Sequence, residues 1–284
     1  MKHKKIIIAV VVTVILAICL AFYNMVFINP KRVTVREEVI TSSKLPQSFD
    51  DFMVVFFSDL HYTTSITKEE LSEIVDTINS FDPDVILFGG DLVDHYSRNL
   101  LDENEENELT SLLKEMKANY GKYAVLGNHD LDSEIIIENV KRILTNADFS
   151  VLRNSAAKVR NGGQGYINIV GIDSLMLGEP DVETAYKDVT KENYTIALCH
   201  TPDIFDTIPT AKTDLLLAGH SHGGQIYIPF ITNYFLPDGA HNYYRGQYYK
   251  DAAMLDVTNG VGTTKNDLRL FADAEIVVYK FKVN

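Results

Sequence analysis

Cysteine is scarce in this sequence: the 284 residues contain two, Cys19 and Cys199. Cys19 lies inside an apolar run near the N-terminus, so we do not expect the pair to form a disulfide. So little thiol also argues against a closed structural zinc site, which is built mainly from cysteine. Chains without disulfides occur in the cytosol and among exported bacterial-type proteins, so cysteine usage does not fix the compartment.

Positive charge is in short supply as well. Lys and Arg number 26 against 39 Asp and Glu, which gives a formal net charge of -13 at pH 7. A chain with this excess of negative charge would be repelled by a phosphate backbone, so we expect no nucleic-acid partner. A small anionic substrate remains compatible with an acidic surface if a metal site supplies local positive charge.

A long apolar run marks the N-terminus. Residues 6–28 carry no charge, and about 23 apolar residues suffice for a membrane-spanning helix. The lysines before the run predict a cytoplasmic N-terminus, although Lys31 and Arg32 after it reduce the asymmetry. A cleaved signal peptide is the alternative, but Ala17 and Ala21 make a poor cleavage site because two bulky aromatic residues follow directly. We therefore expect an uncleaved single-pass anchor.

After residue 50, predicted strands and helices alternate. The run at residues 52–57 is apolar throughout, which is typical of a strand covered on both faces. Residues 67–80 have apolar residues at helical spacing, and Thr67 with Glu70 predicts a capping box at their start. The other elements predicted up to residue 147 are strands at 85–88 and 123–126 and helices at 103–119 and 133–147, the last capped by Ser133.

The rest of the chain is predicted to be mainly strand, as are residues 33–40 before the alternation begins. Strands are expected at residues 150–152, 166–170, 195–198 and 214–217, and a final pair at 253–257 and 275–283 surrounds a glycine-rich turn. We see no internal repeat and no low-complexity tract. This order predicts an α/β fold in which two packed sheets carry helices on their outer faces.

Histidine and carboxylate motifs follow five of the predicted strands. Ligand sites in α/β proteins gather at the carboxyl ends of strands, so we expect these motifs to meet at one rim. A single histidine after a strand is most often a core or surface side chain, but five of the chain's 8 histidines occur here. The motifs are Ser58-Asp59-Leu60-His61, Gly89-Gly90-Asp91-Leu92-Val93-Asp94, Gly127-Asn128-His129-Asp130, Cys199-His200-Thr201-Pro202 and Gly219-His220-Ser221-His222.

The residue types in these motifs suit a two-metal centre. Carboxylate, imidazole and amide oxygen are ligands for Mn, Zn or Fe(II). Two histidines one residue apart in a glycine-rich turn can serve two ions at once, although such a turn alone could equally be a tight loop with two exposed histidines. The four other motifs favour the metal centre.

The set of motifs resembles the calcineurin-like metallophosphoesterase superfamily, from about residue 50 to the end of the chain. The Gly-Gly-Gln that follows His222 and the sequences at residues 259–264 and 268–271 are similar to a membrane-associated bacterial branch. Members of that branch are often described as similar to UDP-2,3-diacylglucosamine hydrolases. The resemblance implies a four-layer α/β/β/α sandwich and a metal-dependent phosphoesterase activity.

Carried over position by position, the resemblance implies two divalent ions, Mn, Zn or Fe, that share Asp91 as a bridging ligand. The first ion would be held by Asp59, His61 and His222. The second would be held by Asn128, His200 and His220. Metal coordination lowers the pKa of water to near neutrality, so a hydroxide shared by the two ions would attack phosphorus in line, without a covalent enzyme intermediate.

The resemblance also implies roles for two residues that bind no metal. His129 would face the scissile phosphate and stabilise or protonate the leaving oxygen, and Asp94 would orient His129 and keep it charged. Asp94 stands where purple acid phosphatases carry a metal-binding tyrosine, so a tyrosinate–iron centre is not expected. His95 stands where protein Ser/Thr phosphatases carry a phosphate-clamping arginine, which puts a protein-phosphatase role in doubt.

An aromatic-rich segment at residues 228–249 leaves two interpretations open. It could form a loop over the active site or against lipid headgroups, or it could be an irregular loop with ordinary packing. Its aromatic residues, with the preceding Tyr227, are Phe230, Tyr234, Phe235, Tyr243, Tyr244, Tyr248 and Tyr249.

From these observations we expect three parts: a membrane anchor at residues 1–28, a juxtamembrane segment with the first strand at 29–50, and a metallophosphoesterase catalytic domain at 51–284. The enzyme would hydrolyse phosphodiester or pyrophosphate bonds of a lipid-linked or envelope-related small molecule, on the extracytoplasmic side of the cell membrane. The alternatives are a phosphomonoesterase or nucleotide phosphodiesterase, and a metal-bound pseudoenzyme that serves as a membrane binding module. A binding module would have no need of His129. The sequence indicates no protein partner.

Overall fold

The computed structural model describes residues 2–94 and 101–284. In chain order the helices are α1 (Lys2–Tyr23), α2 (Lys68–Ser80), α3 (Glu103–Glu115), α4 (Glu134–Asn146) and α5 (Val182–Ala185). The strands are β1 (Val33–Ser42), β2 (Met53–Phe57), β3 (Val85–Phe88), β4 (Lys122–Ala124), β5 (Phe149–Val151), β6 (Ser155–Val159), β7 (Ile167–Gly171), β8 (Thr195–Leu198), β9 (Leu215–Ala218), β10 (Gly246–Lys250), β11 (Ala253–Val257) and β12 (Ala274–Val283).

The N-terminal helix α1 packs no residue into a protein core. Its helical path continues through Asn24–Ile28 and Asn29–Lys31 before β1 begins. Among the described residues, Lys2–Lys31 is the one helical stretch long and apolar enough to cross a membrane, and its most apolar part buries no residue in the protein. Such a helix is a candidate membrane span.

Two six-stranded sheets form the rest of the molecule. The first has the order β1-β12-β2-β3-β4-β5, and the second has the order β10-β11-β9-β8-β7-β6. β2 to β5 run parallel to one another, as do β11, β9, β8 and β7. The carboxyl ends of the central strands therefore lie along one edge of each sheet, and this arrangement positions the site.

Three apolar clusters define the layers. One packs α2, α3 and α4 against the outer face of the first sheet, the second fills the space between the sheets, and the third covers the outer face of the second sheet. The last layer is thin, because it contains only the short α5 and the 3₁₀ turn Pro202–Asp206. The predicted α/β/β/α sandwich is confirmed.

The predicted helix caps and helix ends are confirmed only in part. Thr67 and Glu70 form the predicted capping box at α2. Ser133 occupies the N-cap position of α4, but its side chain makes no capping hydrogen bond, contrary to our expectation. The helix predicted at 103–119 ends at Glu115, because the Lys122 ammonium donates to the carbonyl oxygens of Leu113 and Met116 at 3.0 Å each and closes the last turn.

The predicted final pair of strands is wrong in its pairing. β11 lies in the second sheet beside β9, whereas β12 lies in the first sheet between β1 and β2. The segment between them crosses from one sheet to the other and passes the rim where the histidine motifs meet. The antiparallel edge strands β6 and β10 were not predicted, because neither has the continuous apolar run of a strand covered on both faces.

Candidate metal centre

The loops that leave β2, β3, β4, β8 and β9 converge where the two sheets meet, so both sheets supply side chains to one site. Five of the predicted site residues sit on backbone in the left-handed region: Asp59 (φ 59°), His61 (45°), Asp91 (57°), His220 (71°) and His222 (50°). A positive φ costs a residue with a Cβ about 1–2 kcal/mol. Backbone strain of this kind concentrates at functional sites.

The first predicted ligand set is brought together. One donor atom from each of Asp59, His61 and His222 lies within 4.8 Å of the others. The Nε2 atoms of His61 and His222 face each other at 3.3 Å, and the His222 Nε2 lies 3.6 Å from a carboxylate oxygen of Asp59. All three residues are buried, so their polar atoms face one another rather than solvent.

The second set adjoins the first. Asp91, His200 and His220 also bring one donor atom each within 4.8 Å of the others. The Asp91 Oδ2 lies 3.1 Å from the His200 Nε2 and 3.7 Å from the His61 Nε2, between the two sets. Asn128 lines the cleft into which the site opens, and its buried side-chain oxygen accepts no hydrogen bond from the described residues. A cation at this position would satisfy that oxygen.

The tautomers of three histidines are set by backbone carbonyls on the outside of the site. His222 Nδ1 donates to Gly262 at 3.0 Å, His200 Nδ1 donates to Gly89 at 2.8 Å, and His220 Nε2 donates to Asp238 at 2.8 Å. On the neutral rings, each inner nitrogen therefore presents a lone pair to the site. Fixing a ligand histidine through its other nitrogen is the usual arrangement around protein metal ions.

The pKa values of the histidines agree with this geometry. Burial lowers the pKa of His61 and of His220 to about 4 and that of His222 to about 3, so these rings are neutral at physiological pH. Burial also lowers the pKa of His200, but the charge and hydrogen bond of Asp91 outweigh it and raise the value to about 9. Asp91 thus draws positive charge to the place where a cation would lie.

His129 lies beside the metal-ligand sets with its ring held by a carboxylate. Its Nδ1 is 2.8 Å from the Asp94 Oδ1, and its backbone N–H donates to the Asp91 Oδ1 at 2.9 Å. Burial lowers the pKa of His129, but Asp91 and Asp94 outweigh it and raise the value to about 9. His129, Asp94 and His61 also bring donor atoms within 4.8 Å, so the His129 pair adjoins the first set directly.

Asp130 is a buried residue of the site to which the sequence alone assigned no role. Its carboxylate accepts hydrogen bonds from the backbone N–H groups of Asp91 (2.8 Å), Leu92 (2.9 Å) and Gly127 (2.9 Å). Burial and the nearby Asp91 raise its pKa to about 7. Asp130 fixes the β3 and β4 loops to each other, and the signal for it was its place as the fourth residue of the Gly-Asn-His-Asp motif.

Arg269 was also not identified from the sequence. Its guanidinium is fully buried and donates to the carbonyl oxygens of Asn259 (2.8 Å), Gly260 (3.0 Å) and Gly262 (2.6 Å). Gly262 is the same carbonyl that accepts from His222. Arg269 therefore supports the candidate ligand His222 from behind, and the signal for it was one charged residue in the apolar run at 268–271.

The site opens into a cleft of about 460 Å³. Asp91, Asn128 and the histidines 129, 220 and 222 line its polar part, and the apolar part includes Met176, Phe235 and Leu236. In the segment at 228–249, Tyr243 and Tyr248 pack edge to face in the protein, whereas Phe230, Tyr234 and Phe235 are exposed. Tyr243 and Tyr248 thus show ordinary packing, whereas a role for the exposed aromatic residues stays a prediction. His95 lies outside the described residues.

Two relatives resemble the chain over most of its length. An uncharacterized metallophosphoesterase of Bacillus subtilis (strain 168), YkuE, is 33% identical over 256 residues, which cover 90% of this chain and 88% of that protein. A Danio rerio protein named as a transmembrane protein with metallophosphoesterase domain is 30% identical over 287 residues, covering 97% of this chain. The chain spans 62% of the length of the Danio rerio relative.

A solved structure of a dimetal phosphatase from Danio rerio aligns with 75% of this chain and 88% of its own, at 10% identity and a TM-score of 0.42, a likeness too distant to carry an argument. The family is shown by sequence: the calcineurin-like phosphoesterase model matches residues 52–224. That match covers the loops after β2, β3, β4, β8 and β9 that carry the two ligand sets. The chain belongs to the calcineurin-like phosphoesterase family.

Proposed function

We propose that this metal-dependent phosphoesterase is a membrane-anchored enzyme with a dinuclear centre that hydrolyses phosphodiester or pyrophosphate bonds. The observation that carries the proposal is the pair of ligand sets that meet at Asp91 and contain three histidines held by backbone carbonyls. The inner nitrogens of these rings face other donor atoms of the buried site, and a cation there would satisfy them.

The residues fit two divalent ions. Asp59, His61 and His222 would hold one, Asn128, His200 and His220 would hold the other, and Asp91 would contact both. Mn, Zn and Fe(II) all accept this mixture of carboxylate, imidazole and amide oxygen. When bound, such ions supply a low pKa for coordinated water and positive charge for the phosphoryl oxygens.

In this proposal His129 acts on the leaving group. Asp94 holds its Nδ1 at 2.8 Å, so the Nε2 is the atom available to the cleft. The raised pKa keeps the ring protonated at neutral pH, and a protonated ring can donate to the oxygen on which charge develops. Asp94 acts through His129 and does not touch the substrate.

The charge of the cleft favours a phosphodiester over a phosphomonoester. Among the described residues that line the cleft, Lys265 is the one lysine or arginine. A monoester dianion needs more cationic contacts than a diester monoanion does. The apolar side of the cleft, with Met176, Phe235 and Leu236, suits the second substituent of a diester.

Three observations support a lipid-linked or envelope-related substrate outside the cytoplasm. The apolar wall of the cleft accepts a hydrophobic group, α1 is a candidate membrane span, and the Danio rerio relative is named a transmembrane protein. The lysines that precede the apolar run at residues 6–28 favour a cytoplasmic N-terminus, which would put the domain after α1 on the other side of the membrane.

The test is hydrolysis of bis-p-nitrophenyl phosphate and of p-nitrophenyl phosphate by the purified full chain, with Mn added and after chelation. We expect metal-dependent hydrolysis, faster for the diester. Faster hydrolysis of the monoester would favour the phosphomonoesterase alternative. Full metal binding with no hydrolysis of either compound would favour the binding module.

A further inference from the structure

A stretch of the chain beside the cleft exposes aromatic side chains to solvent. Residues 226–237, here called the apolar loop, contain no charged residue in a chain that is 23% charged. Within it, Phe230, Tyr234 and Phe235 are 89%, 85% and 81% exposed. Soluble surfaces rarely carry contiguous apolar patches of this kind, and those that do mark a contact with another apolar surface.

The backbone holds these rings outward. Phe230 has a φ of 67°, a left-handed conformation that bulky residues rarely adopt. The hydroxyl of Thr232 fixes the turn by accepting from the Ile228 N–H at 2.7 Å and donating to the Ile226 carbonyl at 3.0 Å. The exposure of the aromatic rings is thus built into the turn and is not a loose end of the chain.

Hydrogen bonds join the apolar loop to the end of the candidate membrane span. The Tyr227 N–H donates to the Leu270 carbonyl at 2.8 Å, next to Arg269 in the chain. The Arg269 N–H in turn donates to Met25 at 3.1 Å, and the Asn29 side chain donates to the Arg269 carbonyl at 3.0 Å. The apolar loop, residues 269–271 and the end of the span form one connected unit.

Phe271 indicates the depth at which this unit would lie. It is 68% exposed, has a φ of 56°, and lines a single cleft together with Ala17, Leu20 and Leu270. Leu20 precedes Ile28 by about 12 Å along a helix axis at the usual rise per residue. If residues 6–28 cross a bilayer, Phe271 lies beside the apolar part of the span and not above it.

We propose that the apolar loop and Phe271 insert into the membrane leaflet from which the span emerges, and so form a second membrane attachment. The occupant of this surface is the lipid bilayer, because the patch is continuous with the span and the apolar loop itself contains no charged residue. Aromatic side chains are favoured at the membrane interface. Since Phe235 and Leu236 also line the cleft, this attachment opens the metal centre at the membrane surface, where an amphiphilic phosphoester would meet it.

This inference rests on the proposed membrane span but not on the proposed reaction, and the absence of tryptophan from the chain allows a direct test. Single-tryptophan variants Phe230→Trp and Phe271→Trp of the full chain are reconstituted in phosphatidylcholine vesicles with brominated or ordinary acyl chains. Phe22→Trp, inside the span, is the positive control. Tyr166→Trp, at the amino end of β7 and away from the site, is the negative control. Bromine quenches tryptophan only on contact.

We expect Phe230→Trp and Phe271→Trp to lose most of their emission in brominated vesicles, as Phe22→Trp does, while Tyr166→Trp is unchanged. Quenching of Phe22→Trp alone would overturn the inference and leave the span intact. No quenching of Phe22→Trp would overturn the span and the inference together. A blue-shifted but unquenched Phe230→Trp would indicate that a second copy covers the apolar loop, and it would also overturn the proposal.

Discussion

At the scale of single residues, the candidate metal centre depends on what each proposed ligand does with its second polar atom. His222, His200 and His220 each donate a hydrogen bond from one ring N–H to a backbone carbonyl. Asp91 accepts from the His129 N–H with one oxygen, while its other oxygen faces His200. A ring fixed in this way cannot turn its lone pair away from the site. The protein thus prepares the ligand geometry before a metal binds.

Asp91 is the residue whose change should affect both ions. Asp91→Asn keeps the shape but removes the negative charge between the two sets, so we expect reduced occupancy at both positions. His222→Ala removes a ligand of the first set only and should mainly empty one position. His241→Ala, an exposed histidine beside Asp238, is the control and should keep full occupancy. Metal analysis of the purified variants measures this, and full occupancy in Asp91→Asn would contradict the bridging role.

His129 should separate chemistry from metal binding. His129→Ala should keep both ions and the fold but lose about 10²–10⁴-fold in rate, which is the usual contribution of a positioned acid. The loss should be smaller for p-nitrophenolate, which hardly needs a proton, and larger for alkyl or sugar leaving groups. Comparison of kcat for both substrate classes, together with metal content, checks this.

Asp94→Asn should show a weaker form of the same pattern, since Asp94 acts through the Nδ1 of His129. An equal loss on both substrate classes in His129→Ala would refute the leaving-group role. Loss of metal from His129→Ala would instead place the ring among the ligands. The two variants together thus distinguish a proton donor from a ligand that the sequence motif did not reveal.

At the scale of secondary-structure elements, the irregular segment between β11 and β12 packs against the candidate metal centre. Gly260 (φ 68°) packs against Asp59, and a Cβ added there would lie 2.8 Å from the Asp59 Cβ and 2.9 Å from its Oδ2. Gly246 has the same φ of 68°, but nothing lies within 4 Å of a Cβ added at that position. The two glycines therefore share the same φ but differ in what an added Cβ would contact.

Gly260→Ala should lose metal from the first ligand set, because the new methyl group displaces Asp59. Gly246→Ala should carry only the cost of a left-handed alanine, about 1–2 kcal/mol, and should keep both ions. Thermal unfolding and metal analysis of both variants separate the two effects. Equal metal content in the two variants would show that the contact with Asp59 is not required.

The caps of α2 and α4 offer a second matched comparison between elements. The Thr67 side chain accepts from the Glu70 N–H, whereas the Ser133 side chain makes no capping hydrogen bond. We expect Thr67→Ala to lower the free energy of unfolding by about 1 kcal/mol and Ser133→Ala to change it little. Circular dichroism during denaturation measures both, and an equal loss would show that Ser133 caps its helix in solution.

The elements that the sequence predicted well are those whose own residues determine them. β3, β8 and β11 match the predicted bounds, because each is a short, mainly apolar run that is almost entirely buried. The edge strand β10 was missed, because its residues face solvent and its pairing with β11 provides the reason for its extended form. Which sheet β12 joins is likewise decided by tertiary contacts and not by its own pattern.

At the scale of the whole molecule, the candidate site joins loops from both sheets, and these loops are far apart in the sequence. The motifs predicted which residues would gather, and the structure brings them together, although their roles as ligands remain predictions. The supporting contacts were not predicted: the sequence marks Asp130 and Arg269 as unusual, but the backbone amides and carbonyls that they bind are brought within reach only in the folded chain. Local sequence patterns encode side-chain chemistry but not the positions of distant backbone groups.

We expect residues 1–28 to be retained in the mature protein, where they would fix the enzyme to the membrane. Cleavage near residue 21 would leave Met25 and its hydrogen bond with Arg269 in place, so this contact does not distinguish a retained segment from a cleaved one. Mass spectrometry of the native chain measures the N-terminus directly. A mature chain that starts near Phe22 would show a cleaved signal peptide instead. The lysines before the apolar run at residues 6–28 favour a cytoplasmic N-terminus, so protease added to intact cells should digest the phosphoesterase domain while a cytoplasmic marker protein survives. Protection of the domain until the cells are lysed would reverse the orientation, and the substrate would then be sought on the cytoplasmic face.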